Sequence, residues 1–294
     1  MESLVTNTRY QCGTFALRSV AELRRSLPHE FNDGVLRLAA EDVVGDVRDF
    51  HCDPAYDGAV IQVASQFNAL EMIHPDVTPE MGVDRYESDR TQGPICAIAC
   101  GAGTVFRNYF FRFDDGHVGQ TRERQINCLE DVGSMLGNDT EHLWEMRNGY
   151  MLADEEGLRR INRKLAGMTE EERDELRRLL KVGVQRDTEV VSKPGGNIVT
   201  QVYCSALPVA YCTAPCEAWE PLARLILEAA YEATFLVAVE QLEHAARPKL
   251  FLTLLGCGAF GNRTEWAMDA IQSAAHRYRC LPLDVFIVRY GRNG

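Results

Sequence analysis

The sequence predicts an α/β fold of three layers, a central mixed sheet between helices, and three observations carry that expectation. Short apolar runs rich in β-branched residues recur at 58–64, 249–255 and 283–288, as expected of strands buried on both faces. The last two bracket a helical segment, Glu265 to Arg277, in the strand, helix, strand order of a parallel βαβ unit. Between strand and helix stands a glycine-rich loop, Gly256 to Asn262, where open α/β sheets receive their ligands.

Taken in order, residues Arg9 to Leu38 mix short helical and turn signals, with an amphipathic helix at Arg18 to Leu27. Gly58 to Ala64, after Asp57, is the first buried strand. A polar loop with Pro75 and Pro79 follows. Gln92 to Tyr109 then turns small and apolar with Pro94 near its start, which predicts one helix packed closely on the sheet. Asn108 to Phe113 reads as a second strand, ended by the turn Asp114-Asp115-Gly116. Ile126 to Leu180 reads as a helical insert whose last helix opens at Thr169 with acidic residues behind it. Lys193 to Asn197 is a turn, Ile198 to Ala206 a strand and Trp219 to Glu243 a long apolar helix. Lys249 to Leu255 and Leu283 to Val288 complete the strands. No repeat or linker interrupts the chain, so a single domain over 1–294 is expected, with 1–56 as an N-terminal extension and 126–180 as the insert.

Composition excludes several classes of function. The net charge of −12, from 31 basic and 43 acidic residues, argues against a nucleic-acid partner, because phosphate-backbone affinity needs clustered Lys and Arg. An anion must therefore be held locally. No stretch approaches the roughly 20 apolar residues that span a bilayer, and Met1 to Arg9 lacks the order of a signal peptide. A soluble, cytoplasmic protein without a membrane partner is expected. The ten cysteines include no Cys-x-x-Cys pair, and no His lies at zinc-ligand spacing from Cys204, Cys212 and Cys216, so free thiols are expected.

Two loops carry the chemistry. In Gly256-Cys257-Gly258-Ala259-Phe260-Gly261-Asn262 the small residues let backbone N–H groups approach a ligand. The following helix, N-capped by Asn262 or Thr264, adds the positive end of its dipole, so a diphosphate can be bound there without a lysine. No Gly-Lys-Ser/Thr follows, which excludes a Walker loop. Phe260 is expected to face the ligand. A tight structural turn is the alternative.

The second loop follows the first buried strand. Gln66 and Asn68 offer amides, while Glu71, Asp84, Glu87 and Asp89 offer carboxylates ahead of the helix that opens with Gln92 and Gly93. Cleaving a glycosidic bond needs amides to hold sugar hydroxyls and carboxylates to stabilise an oxocarbenium-like centre and activate water. The alternative is a solvated loop in which Asp89 caps a helix and Asp84 pairs with Arg85 or Arg90.

At these loops the chain resembles the macrodomain superfamily, in particular the MavL-type arginine-specific ADP-ribosyl hydrolases and, more distantly, the poly(ADP-ribose) glycohydrolase branch. The resemblance covers 58–113 and 195–290 and implies a macrodomain-like fold. It implies that Asn68, within Gln66-Phe67-Asn68, binds the distal ribose and that Gly256 to Asn262 wraps the diphosphate. It also points to Asp84 and Asp89 as the catalytic acids, with Glu71 a third candidate. The chain lacks a Gly-Gly-Gly run followed by Gln-Glu-Glu, which puts chain-cutting of poly(ADP-ribose) in doubt.

An aspartate-rich site grips a guanidinium by bidentate, charge-assisted hydrogen bonds, so the expected activity is hydrolysis of the N-glycosidic bond between ADP-ribose and arginine on proteins. One of Asp84 and Asp89 would orient the guanidinium while the other activates water; neither a metal nor a cofactor is required. The rivals are a reader that binds ADP-ribosylated proteins without cutting them and a hydrolase of ester-linked ADP-ribose. A Cys/His hydrolase through Cys257 would need a histidine that the sequence does not place beside it.

Overall fold

The computed structural model describes residues 1–27, 40–192 and 196–289. In chain order its regular elements are β1 (Thr14–Ser19), α1 (Val20–Arg25), β2 (Ala40–Val44), α2 (Val47–Cys52), β3 (Val60–Ala64), α3 (Gln92–Ala99) and α4 (Gly101–Tyr109). Then come α5 (Glu130–Leu136), α6 (Asn138–Glu141), β4 (Glu145–Arg147), β5 (Tyr150–Leu152), α7 (Glu155–Gly167) and α8 (Glu170–Leu179). The chain closes with β6 (Lys181–Glu189), β7 (Ile198–Cys204), α9 (Cys216–Glu240), β8 (Lys249–Thr253), α10 (Thr264–Arg277) and β9 (Asp284–Arg289).

Seven strands form one mixed, mostly parallel sheet in the order β1-β6-β7-β3-β8-β9-β2. Pairing is antiparallel at β1/β6 and β6/β7 and parallel across β7, β3, β8, β9 and β2. Alternation along each central strand divides the interior into two cores. Val60 of β3, Val202 of β7 and Leu250 and Leu252 of β8 pack on the side of α1, α7, α8, α9 and α10. Ile61, Val63, Tyr203 and Phe251 pack on the side of α2 and α3. The central strands β3 and β8 are largely apolar because both faces are covered. The βαβ unit β8-α10-β9 is present, with its two strands adjacent and parallel.

Several expectations need correction. Residues 1–56 are more than an extension: β1 and β2 supply the two opposite edges of the sheet. The helix expected over 92–109 is two, α3 and α4, parted at Cys100 with φ −113° and ψ 52°. Asn108 and Tyr109 finish α4, so 108–113 is not a strand. Instead Phe111 and Phe113 fold back on Gly119 and His117 through the Asp114-Asp115-Gly116 turn, and find partners locally rather than in the sheet. The insert is not wholly helical, since β4 and β5 form a hairpin within it. Its last helix does open with a capping box between Thr169 and Glu172. The N-cap of α10 is Arg263, without a side-chain bond, rather than Asn262 or Thr264. Strand β6 was not expected at all. Residues 28–38 of the first segment and Lys193 to Gly195 of the expected turn lie outside the described residues. All ten cysteines are free thiols. No helix among the described residues is long and apolar enough to cross a membrane.

Candidate active site

The carboxyl ends of β3 and β8 open into a cleft of about 710 Å³, counted with its mouth. One wall is the glycine loop after β8. Gly256 has φ +73°, and a Cβ there would meet Ala206 Cβ at 2.4 Å, so only glycine fits the turn. The loop closes on itself by Cys257 N–H to Leu254 O, Gly261 N–H to Gly258 O and Asn262 N–H to Gly256 O. The N–H groups of Gly256, Gly258, Ala259 and Phe260 donate to no partner among the described residues, and all four residues line the cleft. They stand just ahead of the 14-residue helix α10. Unused backbone donors beside a helix N-terminus make a receptor for an anion.

The floor comes from the segment after β3. Gln66 is buried and its amide is already engaged: Oε1 accepts Met72 N–H at 2.5 Å and Nε2 donates to Tyr150 Oη at 3.4 Å. Gln92 lines the cleft but works as a splint for β3, accepting Ala64 N–H and donating to Gln62 O, both at 2.8 Å. Gly93 brings α3 onto the strand, since a Cβ there would lie 1.9 Å from Ala64 O.

Two acidic residues border the cleft, Asp89 partly exposed and Glu71 with its carboxyl buried in the wall. Asp89 Oδ1 accepts from Thr91 N–H at 2.8 Å and Thr91 Oγ1 at 2.7 Å, so it secures the start of α3 as well as lining the cleft. Glu71 is buried, with Oε1 3.4 Å from Arg107 Nη2 and Oε2 without a partner. Burial pushes its carboxyl up to about 8 against the opposing pull of Arg107.

An aromatic wall completes the cleft. Tyr150, Tyr211 and Phe260 pack as a triangle with ring centroids 5.1, 5.4 and 5.5 Å apart. Tyr150 arrives on the β4/β5 hairpin, whose two-residue loop Asn148-Gly149 has φ +46° and +80°. Its hydroxyl donates to Met72 O at 2.6 Å.

Of the residues expected from sequence, the cleft gathers Gln66, Glu71, Asp89, Gln92, Gly93, Gly256, Gly258, Ala259 and Phe260. Asp84 does not line it, because it is exposed on the 3-10 turn Asp84–Ser88. Asn68 does not line it either: its amide donates to Gln125 Oε1 at 2.9 Å and accepts Leu70 N–H at 3.0 Å, fully buried. Phe67 is in the core. The Cys257 thiol donates to Leu255 O and Arg263 O and is pushed up to about 11 by burial, unlike an activated nucleophile. Gly261 packs on Ala210, and Asn262 Nδ2 donates to Leu207 O at 2.7 Å. Sequence reasoning missed Ser65, Tyr150 and Tyr211 in the lining and Arg107 behind it. The Asn-Gly pair at 148–149 was the available signal for the hairpin that delivers Tyr150.

Comparison with protein-family models, with curated proteins and with solved structures found no match.

Proposed function

We propose that this protein, with a macrodomain-like fold, binds ADP-ribose in the cleft and hydrolyses the N-glycosidic bond that joins it to arginine on proteins. The observation that carries the reading is the set of four unpartnered backbone N–H groups at Gly256, Gly258, Ala259 and Phe260, which suits a diphosphate in a chain of net charge −12. The partly exposed rings of Tyr211 and Phe260 in the aromatic wall offer apolar surface to a base or sugar. Asp89 then takes alone the place that sequence reasoning gave to Asp84 and Asp89.

In the reaction, the oxygen of a water molecule bonds to C1 of the ribose as the C–N bond breaks. The electron pair of that bond leaves with the guanidine nitrogen, and the proton lost by water ends on the guanidine. Asp89, partly exposed in the lining of the cleft, orients the guanidinium and accepts the water proton on its way. Glu71, its side chain fully buried against Arg107, supports the cleft wall from behind rather than touching the substrate.

The test is release of free ADP-ribose from arginine-linked and glutamate-linked ADP-ribosylated protein, comparing wild type with Asp89→Ala and Glu71→Gln, with calorimetric titration of ADP-ribose in parallel. Release from arginine that Asp89→Ala lowers by about 100-fold or more is expected for a lost acid–base group. Release from glutamate alone would make it an ester hydrolase, binding without release a reader, and no binding would end the ADP-ribose reading.

A further inference from the structure

A hydroxyl in the cleft lining is bonded in a way that its place in the fold does not explain. Thr91 is the N-cap of α3, with φ −76° and ψ 161°, where a threonine hydroxyl ordinarily accepts an N–H of the first helical turn. It makes no such cap bond. Pro94 stands at the third helical position, whose N–H a capping hydroxyl commonly takes, and proline has none. The Thr91 hydroxyl turns to Asp89 instead and donates to Oδ1 at 2.7 Å, while Thr91 N–H donates to the same oxygen at 2.8 Å.

We propose that Thr91 is a specificity-determining residue of the cleft: its Oγ1 and Asp89 Oδ2 together accept the N–H groups of a guanidinium, which makes the cleft selective for arginine-linked ADP-ribose.

A carboxylate only accepts, so the proton between the two side chains belongs to Thr91. Oγ1 has thereby spent its one proton and offers lone pairs to anything else that approaches. Oδ1 already holds two donors, and the carboxylate makes no other hydrogen bond among the described residues, which leaves Oδ2 open. Both open atoms are acceptors, and both stand on accessible residues of the lining, Thr91 exposed and Asp89 partly exposed. A guanidinium carries several N–H donors in a planar fork and usually meets both oxygens of one carboxylate. With Oδ1 occupied, one N–H finds Oδ2 and a second finds Oγ1 beside it. The positive end of α3 would by itself favour an anion, and the charge of Asp89 turns the pair into a receptor for a cation. An ester-linked ADP-ribose has no N–H at its linkage, so it gives these two acceptors nothing to take.

The proposal rests on the ADP-ribose reading for the reaction, whereas the guanidinium site can be tested alone with methylguanidinium as the probe. Titrated into the nitrogen-15-labelled whole chain, it should move the amide resonances of Thr91 and Asp89. Thr91→Val, which keeps the branched shape and the backbone N–H on Oδ1, should raise the midpoint of that titration by about 10-fold, and Thr91→Ser should restore it. In the release assay Thr91→Val should raise KM for arginine-linked protein by a similar factor with kcat little changed, because the contact is present before and during the reaction. Affinity for free ADP-ribose, which has no guanidinium, should stay as in wild type. A Thr91 that only steadies α3 would lower the melting temperature and leave both the methylguanidinium midpoint and KM in place, which overturns the proposal. So does a wild-type spectrum in which methylguanidinium leaves Thr91 and Asp89 unmoved, whether or not the variants fold. Absence of ADP-ribose binding would end the functional reading, and the methylguanidinium titration would still decide the guanidinium site.

Discussion

Asn68 and Gly258 show how far a residue's role depends on what its neighbours leave free. The Asn68 amide begins a partly buried chain that runs through Gln125 to Asn148 and on to Pro75 O. Asn68→Ala is therefore expected to cost about 1–3 kcal/mol of stability, read as a lower melting temperature, with ADP-ribose affinity little changed in the folded protein. Gly258 is the opposite case. A Cβ there meets nothing within 4 Å, and its N–H is unpartnered. Gly258→Ala should fold and melt like wild type yet weaken ADP-ribose binding measured by calorimetry, because the added methyl crowds the approach to the diphosphate. Equal affinity in the two proteins would remove the glycine loop from the site.

At the scale of elements, the β4/β5 hairpin ties the insert to the cleft. Gly149 has φ +80°, and a Cβ there would lie 2.6 Å from Asn68 Cγ and 2.7 Å from Gln66 Cβ. Its carbonyl also accepts Phe67 N–H at 2.9 Å. Gly149→Ala should destabilise by about 2 kcal/mol or more, combining left-handed strain with the clash, and should loosen Tyr150 from the aromatic wall. A thermal melt together with ADP-ribose titration checks both parts. The break between α3 and α4 is another such device, since α4 carries Arg107, in its last turn, to Glu71.

For the whole molecule, buried ionisable groups set opposing slopes of stability with pH. Glu71 holds its proton up to about 8 in the folded state against 4.5 for an ordinary glutamate. The folded state therefore binds more protons between those values, and the stability Glu71 contributes at low pH is lost as pH rises through that window. His51 is lowered to about 4 by burial, with Nδ1 on Val47 O and Nε2 facing the Gln201 amide. The unfolded chain then binds more protons between 6.5 and 4, so this contribution falls away as pH drops through that range. Glu232 joins α1, α9 and α10 through Arg24, Arg277 and Tyr278, and despite burial these partners hold its carboxyl below the usual range. Its contribution is lost as pH falls below the unfolded value. Melting temperature against pH should therefore peak inside the range from 5 to 8, and Glu71→Gln should flatten the alkaline limb while leaving the acid limb intact. An alkaline limb unchanged in that variant would count against a protonated Glu71.

The sequence by itself determined the central layer and the loop at its edge. Continuous apolar runs make doubly covered strands wherever they occur, and three glycines ahead of a helix dictate a loop that exposes its amides, so β3, β8, β9, α10 and Gly256 to Asn262 were legible. Local signals did not reach further. β1 and β6 are polar-interrupted strands that exist because they pair across 162 to 172 positions of chain, from Ser19↔Lys181 at one end to Thr14↔Arg186 at the other. The carboxylates at 71, 84 and 89 were equivalent as letters. Only the tertiary structure separated them, by burying Glu71 against Arg107, seating Asp89 at the cleft and leaving Asp84 in water. Burial and partnership are long-range quantities, and they decide which acid keeps its proton.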